Sequence, residues 1–300
     1  MSISHRGWPR TSRNPSCKPS PTRQETDMAE DLIPIEPSRD IGHAERRRQR
    51  LERLLSVATP LIILAAWEAL VRAGLVDARL FSSPSQIAGT FWALAQSGEL
   101  ARHVGISLVR IGIGFALGAI PGVLTGVAIG LSPLVRAVLS PVIASLYPIP
   151  KIAIFPLIMV IFGIGEVSKY VLVAIAVFFF MAINSAAGVL NVERIYWDVG
   201  HSFRVGRLRR ILTIALPGAL PMIIAGIRLS LGVSLLVLVS AEFVGSKSGI
   251  GFLVWDSWQT FNIETMFVGI VVIGALGWIF FTVVDEFERR FLPWAPGNRR

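Results

Sequence analysis

Six stretches of the chain, 54–71, 106–130, 135–162, 170–190, 220–239 and 266–284, are almost wholly apolar. A helix needs roughly 20 such residues to cross the ~30 Å hydrocarbon layer of a membrane. In lipid every backbone N–H and C=O must be satisfied within the chain, which leaves only helices or closed barrels. The stretches lack the apolar–polar alternation of a barrel strand. The expected fold class is therefore an all-α membrane protein, a polytopic bundle of about six transmembrane helices. Composition agrees: 53% of residues are hydrophobic and 16% charged, against about 25% charged in a soluble domain. A soluble enzyme and a nucleic-acid binder are excluded, despite the net charge of +9, because the lipid bilayer is the solvent such a chain requires. Cys17 is the sole cysteine, so neither an intramolecular disulfide nor a cysteine metal cage is available.

Residues 1–45 carry no apolar period and hold Pro9, Pro15, Pro19, Pro21, Pro34 and Pro37. They are expected to be a disordered cytoplasmic tail. Met28-Ala29-Glu30-Asp31 reads as a second, more ordinary start, which would make 1–27 an extension. Arg46, Arg47, Arg48, Arg50 and Arg53 form a basic collar before the first span. With the N-terminus inside, 21 of the 29 Lys and Arg fall on the cytoplasmic side and five outside, as the positive-inside rule requires. Both termini are expected to be cytoplasmic. Residues 46–98 then hold the first span and a short helix on the outer interface, begun by Ser83-Pro84 as cap and first turn. Residues 99–286 hold the remaining transmembrane domain, with a cytoplasmic loop at 191–216, and 287–300 form a C-terminal tail.

The spans are not plain struts. Gly114, Gly118, Gly122, Gly126 and Gly130 recur every four residues, forming a smooth stripe that lets a neighbouring backbone approach closely. Pro121 is expected to bend that helix. The third span contains Pro141, Pro148, Pro150, Lys151 and Pro156, a composition expected of a broken helix. Charges at membrane depth are costly and mark candidate pathway residues. Lys151, Arg228 and Glu242 are the translocation-pathway candidates, with snorkelling or structural pairing as the alternative for Lys151 and structural pairing as that for Arg228. Arg228 and Glu242 lie about four turns apart on one helix, too far to pair with each other. Glu68 is expected to be paired or near an interface.

The 191–216 loop is polar and basic, yet Ile195, Val199, Phe203 and Val205 recur at near-helical spacing. An amphipathic helix there would lie on the membrane surface or dock a cytoplasmic partner. It ends at Ile214-Ala215-Leu216-Pro217. Nine residues separate Arg204 from Ile214, and three separate Asp198-Val199-Gly200 from Arg204.

This spacing resembles the cytoplasmic signature of type I ABC importer permeases: Glu-Ala-Ala, three residues, Gly, nine residues, Ile-x-Leu-Pro. Asp198-Val199-Gly200 stands at the Glu-Ala-Ala position and Arg204 at the glycine, with Gly206 two further on. The nitrate/sulfonate/taurine branch is resembled by Leu216-Pro217-Gly218-Ala219-Leu220-Pro221, Ala225-Gly226-Ile227-Arg228-Leu229, Ala241-Glu242-Phe243 and Gly249-Ile250-Gly251. Pro148-Ile149-Pro150, Pro156-Leu157, Phe162-Gly163-Ile164-Gly165-Glu166 and Lys169 fit as well, so the resemblance covers about 54–294. It implies a type I permease fold in the bacterial inner membrane, a pathway formed by two copies, a separate ATPase subunit, and a periplasmic or lipid-anchored solute-binding protein. It implies a coupling helix at 197–210, with Asp198, Val199, Gly200, Phe203, Arg204, Val205, Gly206, Leu216 and Pro217 as the ATPase-coupling residues. The chain has no G-x-x-x-x-G-K-[ST] loop, so ATP would be bound by the partner, with no cofactor and no catalysis here. The solute would be small and anionic. The alternatives are an ion-coupled secondary transporter, for which Glu68 is the nearest mid-membrane acid, and an intramembrane enzyme, for which no histidine pair has metal spacing.

Overall fold

The computed structural model describes residues 39–77 and 80–292, and among these the regular elements are all helices, without strands. The chain divides into two compact units, 1–61 and 62–300. In the first, the described part is helix α1 (Arg39–Arg72, continuing into the second). It begins at Arg39, within the stretch expected to be a disordered tail, the rest of which lies outside the described residues. The readings on Cys17 and Met28 lie outside the described residues.

The second unit continues with α2 (Pro84–Gln96), α3 (Glu99–Leu131), α4 (Pro133–Leu146), a 3-10 turn (Lys151–Ile154), α5 (Phe155–Phe162) and α6 (Glu166–Leu190). Then come α7 (Arg194–Ser202), α8 (Arg207–Arg210), a π turn (Ile211–Ala215), α9 (Leu216–Gly245), α10 (Ile250–Gln259) and α11 (Ile263–Phe291). Local chemistry sets the boundaries. Ser83 forms a full capping box with Gln86 ahead of Pro84, and Ser132 caps α4 ahead of Pro133. Pro121 lies inside α3, which runs on through it to Leu131. Helix α11 continues to Phe291, so the expected C-terminal tail is helical over its first residues.

The glycine stripe of α3 fits against α6. A Cβ on any of Gly114, Gly118, Gly122, Gly126 or Gly130 would stand within 3.0 Å of α6 atoms, the nearest belonging in turn to Val173, Ala174, Met181, Ala182 and Val189. Both series ascend, so α3 and α6 run parallel. Helix α9 is antiparallel to α6: Gly188 meets Ala219, while Gly226 meets Asn184. The opposite face of α3 presents Leu117, Ile120 and Leu124, 56–66% exposed, an apolar surface suited to lipid rather than water.

Because α3 and α6 are parallel, the chain between them must travel back from one end of the bundle to the other. That return is made by α4 and the 3-10/α5 segment, which meet at 87°. Lys151 sits at the break. Its Nζ donates to the carbonyls of Leu146, Tyr147 and Ile149 at 3.0, 2.9 and 2.7 Å and lies 4.5 Å from the Phe179 ring centroid. These carbonyls lie at and just beyond the end of α4, where intrahelical partners run out; Leu146 O also accepts the Ile149 N–H at 3.3 Å. With this bent pair counted as one span, six segments among the described residues are long and apolar enough to cross a membrane. One end of the second unit gathers α2 with the starts of α3, α6 and α11; the other gathers α7 and α8 with the end of α3.

Candidate functional site

At the second end the chain between α6 and α9 makes a corner. Helix α7 stops because Arg204 takes the left-handed conformation, φ +51°. The Arg204 N–H then donates to His201 O at 2.9 Å and the Val205 N–H to Gly200 O at 3.0 Å. This pair of reversed bonds is a Schellman cap. A glycine adopts that conformation without strain, which gives the signature glycine position its physical meaning; in this chain an arginine makes the same turn.

The corner has two faces. Gly200 is buried, and a Cβ there would come 2.7 Å from Ile214 Cδ1, so Gly200 seats α7 on the π turn. Gly200, an expected ATPase-coupling residue, thus lies on the inner side of α7. Leu216 and Pro217 are half-buried at the start of α9, Leu216 against the main core; they orient the corner rather than present it. The outward face carries Ile195, Tyr196, Val199 and Phe203, exposed by 62, 57, 50 and 79%. Asp198, Arg204 and Gly206 are exposed and Val205 half-buried. An amphipathic helix ordinarily turns its apolar side to its own core; α7 turns this one away. A cavity of about 370 Å³ lies on the flank, lined by residues including Tyr196, Ile214 and Pro217.

The three pathway candidates are each engaged by the chain itself. Arg228 pairs with Asp285 and, at 2.7 Å, with Glu288, both on α11. Lys151 spends its three N–H groups on carbonyls at the α4 break. Glu242 is 0% exposed. Its partner is Arg110, an in-span cation to which the sequence analysis gave no role. Arg110 Nη1 donates to Glu242 Oε1 at 2.7 Å and to Ser248 O at 2.6 Å, while Nε and Nη2 grip Glu166 side-on, each at 2.6 Å. Ser107 Oγ and the Gly251 N–H complete the shell of Glu242 at 2.8 Å each, and Lys169 joins Glu166 at 3.2 Å. Two cations and two anions thus close on one another, pinning the 246–251 turn to α3 and α6. Glu68 bonds Arg72 and the Ser85 N–H and hydroxyl, bracing α1 against the start of α2. Among the described residues no group of three potential metal ligands occurs.

Residues 118–293 match the family described as binding-protein-dependent transport system inner membrane component. A relative in Bacillus subtilis named for aliphatic sulfonates transport, SsuC, is 36% identical over 82% of this chain and 90% of its own length. The taurine transport system permease protein TauC of Escherichia coli is 31% identical over 80% and 89%, and the nitrate import permease protein NrtB of Leptolyngbya laminosa 28% over 68% and 70%. The fold is similar to that of an inward-facing MetNI methionine ABC transporter, with TM-score 0.58 and 20% identity, covering 64% of this chain and 95% of that one.

Proposed function

Starting from the premise that this chain belongs to the family of binding-protein-dependent transport system inner membrane components, we propose that two copies form the pathway of an ATP-driven importer for a small oxyanion. The family makes the chain a multi-pass transport subunit rather than an enzyme, and sets aside the ion-coupled carrier. The solutes for which its relatives are named, sulfonate, taurine and nitrate, support the oxyanion class. ATP is bound by a separate ATPase subunit, and the solute arrives on a binding protein at the opposite face. The arginine bias supports a cytoplasmic α7–α8 corner and cytoplasmic termini.

The observation that carries this reading is the outward apolar face of α7. A phenylalanine 79% exposed at the tip of a helix that its own core does not cover is a docking surface for a partner groove. Val199 and Phe203 enter the ATPase, with Asp198, Arg204 and Val205 around them. The Schellman cap holds the corner rigid, and the Gly200–Ile214 contact passes its movement to the π turn and α9. The test is an affinity purification of tagged full-length protein from its native membranes in mild detergent. A P-loop ATPase should co-purify with wild type and be lost from Phe203→Ala and Asp198→Ala at unchanged permease yield. Absence of an ATPase under conditions that keep a known importer intact would overturn the proposal.

A further inference from the structure

Between α6 and α9 stand five arginines, Arg194, Arg204, Arg207, Arg209 and Arg210, against two carboxylates, Glu193 and Asp198. Arg72, Arg110, Arg228, Arg289 and Arg290 each hold a carboxylate within 4.0 Å. None of the five does so among the described residues. Two of them, Arg207 and Arg210, line a cavity of about 300 Å³ with Leu131, Trp197, His201 and Ile211. Leu131 ends the 33-residue helix α3, and Ile211 opens the π turn that feeds α9. The cavity therefore sits where two membrane helices leave the hydrocarbon, at headgroup depth.

Its chemistry suits that depth. His201 Nδ1 faces the Trp197 carbonyl at 2.9 Å, which can only accept, so Nδ1 carries the hydrogen. Nε2 then accepts from Arg210 Nη1 at 2.6 Å. That bond orients the Arg210 guanidinium and leaves its other donors unspent. The Arg207 guanidinium has no hydrogen-bond or ion-pair partner among the described residues. Two donor-rich cations above a wall of indole, leucine and isoleucine fit a phosphodiester above its glycerol and first methylenes. We propose that this cavity is a binding site for the headgroup of an anionic phospholipid. The inference rests on the membrane placement alone and does not require the ATPase.

The test is native mass spectrometry of the detergent-purified full chain, titrated with phosphatidylglycerol or with phosphatidylcholine of the same acyl chains. Phosphatidylglycerol should be retained preferentially. R207Q/R210Q should reduce that preference by roughly thirtyfold, about fivefold for each arginine. R207K/R210K should keep most of it, as should R289Q/R290Q, whose arginines pair with Glu286. Equal retention of the two lipids, or a preference that survives R207Q/R210Q, would overturn the proposal. So would displacement of phosphatidylglycerol by equimolar inorganic phosphate, which would mark a site for a small soluble anion. Because the ATPase is absent from this measurement, failure here leaves the coupling assignment to its own test.

Discussion

Arg204 shows how one side chain can stand in for a glycine. Its left-handed backbone costs an L-residue roughly 1–2 kcal/mol, and the two Schellman bonds and the packing of Gly200 hold it there. Arg204→Gly is expected to keep the corner intact, with ATPase association at or above the wild-type level. Arg204→Val, β-branched at the same φ, should cost on the order of 1–3 kcal/mol and weaken that association. Paired thermal-shift and co-purification measurements on the two variants check this. Arg110 is the opposite case, a residue whose role lies in contacts far along the chain, 56 and 132 residues away. Arg110→Met should cost about 3–5 kcal/mol, because Glu242 is left charged and buried; adding Glu242→Gln should recover part of the loss in thermal stability. Arg110 could be recognised from sequence as an in-span charge, but its partners could not, since nothing local to residue 110 specifies Glu166 or Glu242.

At the scale of the element, periodic features were legible and compensated ones were not. The five-glycine stripe reads directly as a close-packing face because the four-residue spacing is the helix's own. Gly118→Leu drives a side chain into the Ala174 backbone and is expected to cost at least 1–3 kcal/mol, seen as loss of monodisperse protein in detergent. Gly112→Leu, where a Cβ meets nothing within 4 Å, is the matched control and should be tolerated. The long apolar spans were likewise legible, although their ends fell short: α3 starts at Glu99 rather than 106 and α9 continues to Gly245 rather than 239. Polar terminal turns count against an apolar window, yet they stay helical when ion pairs satisfy them, as at Glu166. Helix α10 left no signal of its own. It has ten residues, and Ile250, Leu253 and Val254 bury against neighbours that only the fold supplies. Lys151 read as a lone cation in an apolar span; the three carbonyls it gathers exist only once Pro148 and Pro150 have broken the helix.

At the scale of the molecule, the parallel course of α3 and α6 fixes the bent segment as a crossing and sets the two ends apart. Phe203 and Trp258, 79% and 52% exposed, should then lie on opposite sides of the membrane. In a Cys17→Ser background, Trp258→Cys is expected to react with a membrane-impermeant maleimide added to spheroplasts, and Phe203→Cys only in inverted vesicles. Reaction of both from one side would refute the six-crossing topology. The arginine distribution carries the expected orientation that this labelling tests; the pairing of α3 with α6 was not legible, because a repeating glycine names a face and leaves its partner open. That pairing also bears on how the chain is made. A helix in a hairpin meets its neighbour as soon as the next span leaves the ribosome. Helix α3 instead enters the bilayer with its glycine groove unfilled and waits through the whole bent return before α6 arrives to close it. A nascent chain stalled before residue 166 would expose that groove to quality-control proteases, and one released after 190 would not.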